Sequence, residues 1–104
     1  SDICSLFGNA LENAIRAVEI IEDPEERIIS LKVQEKNGML LIRVDNSFRG
    51  NLVFDGDLPQ TTKKKDGYHG YGLKSIQMVA KKYAGVMRIQ TDEQFVLTVM
   101  IPIP

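Results

Sequence analysis

The most suggestive chemistry in this chain lies in Gly67-Tyr68-His69-Gly70-Tyr71-Gly72-Leu73-Lys74-Ser75-Ile76. Three glycines fall within six residues, and apolar residues follow at helical spacing: Leu73, Ile76, Val79, Ala80 and Tyr83. A glycine-rich turn that feeds a helix exposes the first backbone N–H groups. They have no intrahelical partner and stand at the positive end of the helix dipole. Such a segment is either a phosphate cradle or only a tight turn. A second pair of polar residues, Asn9 and Asn13, stands one helical turn apart and so shares a face. Asparagine competes for backbone groups inside a helix. Two of them in line, beside Glu12 and Arg16, mark either a polar groove or an ordinary surface.

Elements must hold these residues in place. Residues 2–22 read as a helix, with Ile3, Phe7, Ala10, Ala14, Val18 and Ile21 in a stripe that Leu6, Leu11 and Ala17 widen. Ser1 or Asp2 caps it. The asparagine face lies roughly 90–120° from the stripe centre, at the edge of the core. Pro24 breaks the helix. Residues 27–35 and 39–45 then alternate as strands. Ile29, Leu31 and Val33 form one face of the first, and Leu40, Ile42 and Val44 stand opposite Met39, Leu41 and Arg43 in the second. Asn37-Gly38 between them is a type I′ hairpin signal.

From about residue 46 to 69 regularity is lost, but Phe48, Leu52, Val53, Phe54 and Leu58 are too apolar for a disordered tail. A long segment of this kind suits a mobile lid pinned by a few hydrophobic side chains. A second helix over 71–84 ends at Gly85, and strands over 86–90 and 95–101 follow. Phe95, Leu97, Val99 and Ile101 make one apolar face, and Pro102 and Pro104 end the pairing. The expected fold is α+β: a two-layer sandwich, its sheet mostly antiparallel, with both helices on one face.

The chain has 104 residues, enough for one small domain, with 43% hydrophobic and 26% charged residues. A formal net charge of −1 gives no bulk attraction to nucleic acid, and Lys63-Lys64-Lys65 is the one basic run. The lone Cys4 cannot form an internal disulfide, fits a reducing compartment, and reads as core filler on the first helix. No signal peptide or membrane-length apolar run is present. The opening inside a helical pattern, without methionine, suggests a domain excised from a larger protein. No Gly-x-x-x-x-Gly-Lys-[Ser/Thr] motif occurs, and a single histidine with a single cysteine excludes a catalytic triad or a zinc site.

Taken in order, Asn9-x-x-x-Asn13-Ala14, the strand-end acid Asp45-Asn46, and Gly70-x-Gly72-Leu73 resemble the Bergerat-fold ATPases. The likeness is strongest to the catalytic ATP-binding domain of sensor histidine kinases, in their peptide-sensing branch. There the lid end also reads as Thr62-Lys63-Lys64 followed by the Gly67–Ile76 run. It spans essentially the whole chain. The resemblance implies a single domain over 1–104, with a nucleotide lid at about 46–69, that binds ATP and Mg2+. Asn9 and Asn13 would be the metal-holding and catalytic Asn box, and Asp45 would accept a hydrogen bond from the adenine amino group. Gly70, Tyr71, Gly72 and Leu73 would form the glycine box, whose glycines wrap the phosphates. Lys63 and Lys64 would add charge at the γ-phosphate, and His69 would contact phosphate or neighbour the lid hinge. One departure stands out. Where the family often shows Asp-x-Gly-x-Gly, this chain reads Asp45-Asn46-Ser47-Phe48-Arg49-Gly50.

The implied activity is that of a two-component protein histidine kinase. It donates the γ-phosphate to a histidine on a separate dimerisation helix, which lies outside this chain, and the isolated domain turns over little. The implied partners are the parent's own dimerisation helices and a downstream response regulator. The implied setting is the cytoplasmic side of a bacterial plasma membrane, in a membrane-bound homodimer. A regulatory module of the anti-sigma serine-kinase type, and a nucleotide-free interaction domain, stand as alternatives within the same fold.

Overall fold

The computed structural model describes residues 1–50, 54–56, 58–59 and 71–103, apart from the side chains of Asp55 and Tyr71. Helix α1 runs Asp2–Glu19, with Ser1 as its N-cap accepting from the backbone N–H of Cys4. It buries Leu6, Ala10, Ala14 and Val18 along one line. It ends earlier than its apolar pattern, and a 3-10 turn at Pro24–Glu26 follows, capped by the Asp23 side chain. Cys4 is exposed rather than part of the core. At 100° per residue it stands about 100° from the buried line, too far round the helix to reach the sheet. Ile3, at the open end of the stripe, is 39% exposed.

Strands β1 (Ile29–Lys36) and β2 (Met39–Asn46) pair antiparallel across Asn37 and Gly38, whose φ angles of 53° and 75° are those of a type I′ turn. Between them and α2 lies a two-stranded ribbon, β3 (Phe54–Asp55) with β4 (Leu58–Pro59), and Phe48 and Leu58 pack against the core. Helix α2 spans Tyr71–Lys82, and β5 (Val86–Thr91) and β6 (Phe95–Pro102) complete the chain. The four-stranded sheet has the order β1-β2-β6-β5, antiparallel throughout.

Alternate residues of β2 and β6 (Ile42 and Val44; Phe95, Leu97, Val99 and Ile101) meet Leu6, Ala10 and Ala14 of α1 and Leu73, Ile76 and Ala80 of α2 in one core. This is the expected α+β sandwich with both helices on one face. The register sets Ile29, Leu31 and Val33 of β1 beside Asn46, Val44 and Ile42, on that same face. They nevertheless remain 38%, 46% and 47% exposed, because α1 rests on β2 far more than on the outer strand.

Helix α2 closes with a Schellman turn. The Gly85 N–H donates to the Ala80 carbonyl and the Ala84 N–H to the Lys81 carbonyl. The left-handed residue is Ala84, at φ 59°, not the glycine expected to end the helix. At this end of the helix layer the Asp2 carboxylate accepts from Lys82 Nζ at 2.9 Å and from the Tyr83 hydroxyl, tying the start of α1 to the end of α2. The Tyr83 hydrogen bond first, and then Lys82, hold the Asp2 carboxyl below its ordinary value. The same contact raises Lys82 and Tyr83 above theirs.

Candidate functional site

Asn9 and Asn13 lie half-buried on the flank of α1, beside its buried line. Asn9 Nδ2 donates only a long 3.5 Å bond to Ser5 Oγ. Asn13 makes no side-chain hydrogen bond among the described residues. Two amides at the edge of a core with their oxygens so lightly used can serve as neutral oxygen donors. Beside them Arg16 pairs with Glu12, one turn away on the same helix.

The first turn of α2 arrives at this flank. A Cβ built on Gly72 would lie 3.8 Å from both Cβ and Oδ1 of Asn9. The fold therefore brings the glycine-rich helix start against the first residue of the asparagine pair, although they are distant in sequence. Leu73, one residue on, is 4% exposed and belongs to the core. It anchors the helix start by packing. Tyr71 opens α2. Lys63, Lys64, His69 and Gly70 lie outside the described residues, as does most of the expected lid.

Asp45 is not brought to this flank. Ile42, Val44 and Asn46 point into the helix-covered side of β2, so Arg43 and Asp45 point away from it. There the Asp45 carboxylate is gripped on both oxygens by Arg43, at 2.8 Å and 2.9 Å. That grip raises the Arg43 guanidinium above its ordinary value. Strand parity thus sets Asp45, expected from the resemblance as the adenine acceptor, on the face of the sheet away from the helices.

The residue on the helix side is Asn46. It is 1% exposed, and its Nδ2 donates to the Ser47 carbonyl at 2.9 Å. Its Oδ1 is the one buried side-chain polar atom among the described residues that has no partner. An orphaned buried acceptor costs about 1–3 kcal/mol, so it persists in a native fold for a reason, an absent ligand among them. The signal was present in the sequence: continuing the alternation of Ile42 and Val44 by two residues reaches Asn46.

The profile of the GHKL domain family matches residues 1–102. The chain belongs to that family. This GHKL domain is 25% identical over 95 residues to a probable C4-dicarboxylate sensor kinase of Bacillus subtilis. The match covers 86% of this chain but only 17% of the relative, so the domain corresponds to a minor part of that kinase's length. Among solved structures, it superposes on the catalytic domain of histidine kinase ThkA with a TM-score of 0.70 at 21% identity, covering 97% of this chain and 66% of the other. It superposes on the Acinetobacter baumannii histidine kinase AdeS with a TM-score of 0.66 at 12% identity, covering 98% of this chain and 46% of the other. At those identities the superpositions establish the shared fold. Among the described residues of the GHKL domain no helix is long and apolar enough to cross a membrane.

Proposed function

We propose that this GHKL domain is the Mg-ATP-binding catalytic domain of a two-component sensor histidine kinase, serving a histidine on a separate dimerisation helix of its parent. The observation that carries the reading is the seating of Gly72 against Asn9. It juxtaposes a helix start suited to phosphate with amide oxygens suited to a hard cation.

The residues fit the ligand. Asn9 and Asn13 offer neutral oxygens, which suit Mg2+ when the phosphates supply the negative charge and water completes the shell. The N–H groups at the start of α2 offer an anion site with no side chain at Gly72 to keep phosphate away. The Asn46 acceptor on the helix side of β2 has one hydrogen bond unmet. Bound Mg-ATP would supply the transferable phosphoryl group and the charge neutralisation that the transfer needs. The chain's own contribution is positioning and dipoles, the usual division of labour in phosphoryl transfer. In this reading Lys63, Lys64, His69 and Gly70 act from the lid side on the phosphates. The response regulator and the parent's dimerisation helices are the partners, and the parent is anchored in a bacterial membrane.

Calorimetric titration with Mg-ATP and Mg-ADP tests the binding. Micromolar to millimolar binding is expected, and Asn13→Ala should weaken it at least about tenfold, or 1.4 kcal/mol. Unchanged binding by that variant removes the Asn-box assignment. A wild-type chain that neither binds nor is thermally stabilised by nucleotide is a plain interaction domain.

A further inference from the structure

The face of the sheet turned away from both helices carries a line of like charge. The register sets Lys32 of β1 directly opposite Arg43 of β2, Arg43 opposite Thr98 of β6, and Thr98 opposite Arg88 of β5. One row across all four strands therefore holds three cations, each of them exposed. Like charges set directly opposite in a sheet repel and cost stability. Asp45 answers Arg43 alone, on both carboxylate oxygens. Lys32 and Arg88 have no ion-pair partner among the described residues. Counting Lys36, the strands present four cations and one carboxylate on this face, in a chain whose net charge is −1.

The next row along is apolar. Leu41 lies opposite Met100, and Met100 opposite Val86. Leu41 and Met100 are half-buried, and Val86 is 54% exposed. A solvated face of an antiparallel sheet ordinarily alternates to polar side chains. Here a cationic row and an apolar row run side by side across the strands.

Independently of the nucleotide reading, we propose that this open face docks an acidic amphipathic helix of a partner protein, laid across the strands. Strands stand about 4.8 Å apart, which puts Arg43 about 5 Å and Arg88 about 14 Å from Lys32 along the row. On a helix, residues at i, i+4 and i+11 share one stripe, about 6 and 16 Å along the axis. Carboxylates at those positions meet the three cations, whose long side chains take up the difference. A small residue at i+7 faces Thr98, and apolar residues beside the stripe cover Leu41, Met100 and Val86. A lipid surface fits less well, because Leu41 and Met100 sit too low between their neighbours to enter a bilayer. The like-charge row is then a cost carried by the free domain and relieved on docking.

The test is fluorescence anisotropy with a labelled helical peptide of about 18 residues, bearing glutamates at i, i+4 and i+11 with leucines beside them. Binding in the range of tens to hundreds of micromolar is expected, weakening several-fold between about 50 and 200 mM salt. The same peptide with lysines for the glutamates should not bind. Lys32→Gln combined with Arg88→Gln should weaken the acidic peptide at least about tenfold. The same pair of substitutions should leave the melting temperature of the free domain equal or higher, since it removes the repulsion. A variant that melts no lower and binds worse supports docking. A wild-type chain that ignores the acidic peptide overturns the proposal, as does binding that the double variant leaves unchanged. Equal binding of both peptides overturns it as well, because the contact would then be merely apolar. Tighter retention on phosphatidylserine vesicles than on the peptide assigns the face to a membrane instead, and self-association lost in the double variant assigns it to a second copy. Each of these results leaves the nucleotide site on the helix side untouched.

Discussion

Helix α2 has a glycine near each end, and the two are held for opposite reasons. A Cβ at Gly85 would lie 2.2 Å from the Met100 carbonyl oxygen and 3.1 Å from Ile101 Cα, in the backbone of β6. No side chain fits there, and the glycine is a condition of folding. Among the described residues, a Cβ at Gly72 would meet nothing closer than Asn9 at 3.8 Å, an ordinary contact. The fold has no need of a glycine there, and a helix would prefer alanine. What glycine at 72 provides is access to the backbone of the helix start, which matters only when something else approaches it. Packing fixes the glycine at 85, while at 72 packing leaves room for a side chain.

The difference can be broken at either end. Gly85→Ala should have the largest effect, about 3–5 kcal/mol of lost stability, because the obstacle is backbone rather than a movable side chain. Chemical denaturation would read it, and a loss below about 1 kcal/mol would mean that β6 yields easily. Gly72→Ala should be neutral or stabilising by up to about 1 kcal/mol, while ATP affinity falls about tenfold or more. A variant that melts higher and binds worse is the signature of a site glycine. If binding holds, the phosphate role of the helix start is lost. Ala84→Gly sharpens the contrast next door. Ala84 occupies a left-handed conformation at φ 59°, so glycine there should add about 1 kcal/mol.

The smallest effect belongs to the Asp2 clasp at the far end of the same helix pair, which lies at the surface. The folded-state carboxyl sits below the ordinary 3.8, so its contribution is complete above that pH and is lost as pH falls through the lowered folded value. Lys82 and Tyr83 sit above 10.5 and 10.0, so their share is present below those values and is lost as pH rises past them. Asp2→Asn should lower the melting temperature slightly at neutral pH and leave it unchanged in strong acid.

Local rules made much of this legible beforehand. The Asn37-Gly38 hairpin, α2 and both C-terminal strands follow from alternation, helical spacing and turn chemistry, and all four inward residues of β6 are buried. The asparagine pair was visible from its spacing. What local reading missed depended on which side of an element faces what. Asp45 drew attention because it is an acid at a strand end, and the alternation of side chains sets it on the face away from the helices. Cys4 was assigned to the core by its apolar neighbours, although it lies off the buried line. Gly85 does close the helix, as its residue type suggested, but it is also constrained by the approach of the β6 backbone, which local reading did not show. The meeting of Asn9 and Gly72 is tertiary, and only the resemblance anticipated it.

The pairing of β2 also has a kinetic meaning. On one side β2 meets β1 across a two-residue turn, which closes on the scale of about 1–10 microseconds. On the other it meets β6, with Met39 opposite Pro102 and Asn46 opposite Phe95, across about half the chain. The whole candidate lid lies inside that long closure. Its entropy grows only with the logarithm of loop length, about 0.6 kcal/mol for each doubling. Insertions and deletions between β2 and α2 should therefore slow the joining of β6 modestly and cost little stability. The segment expected as the lid is thus one whose length the closure of β2 on β6 constrains only weakly.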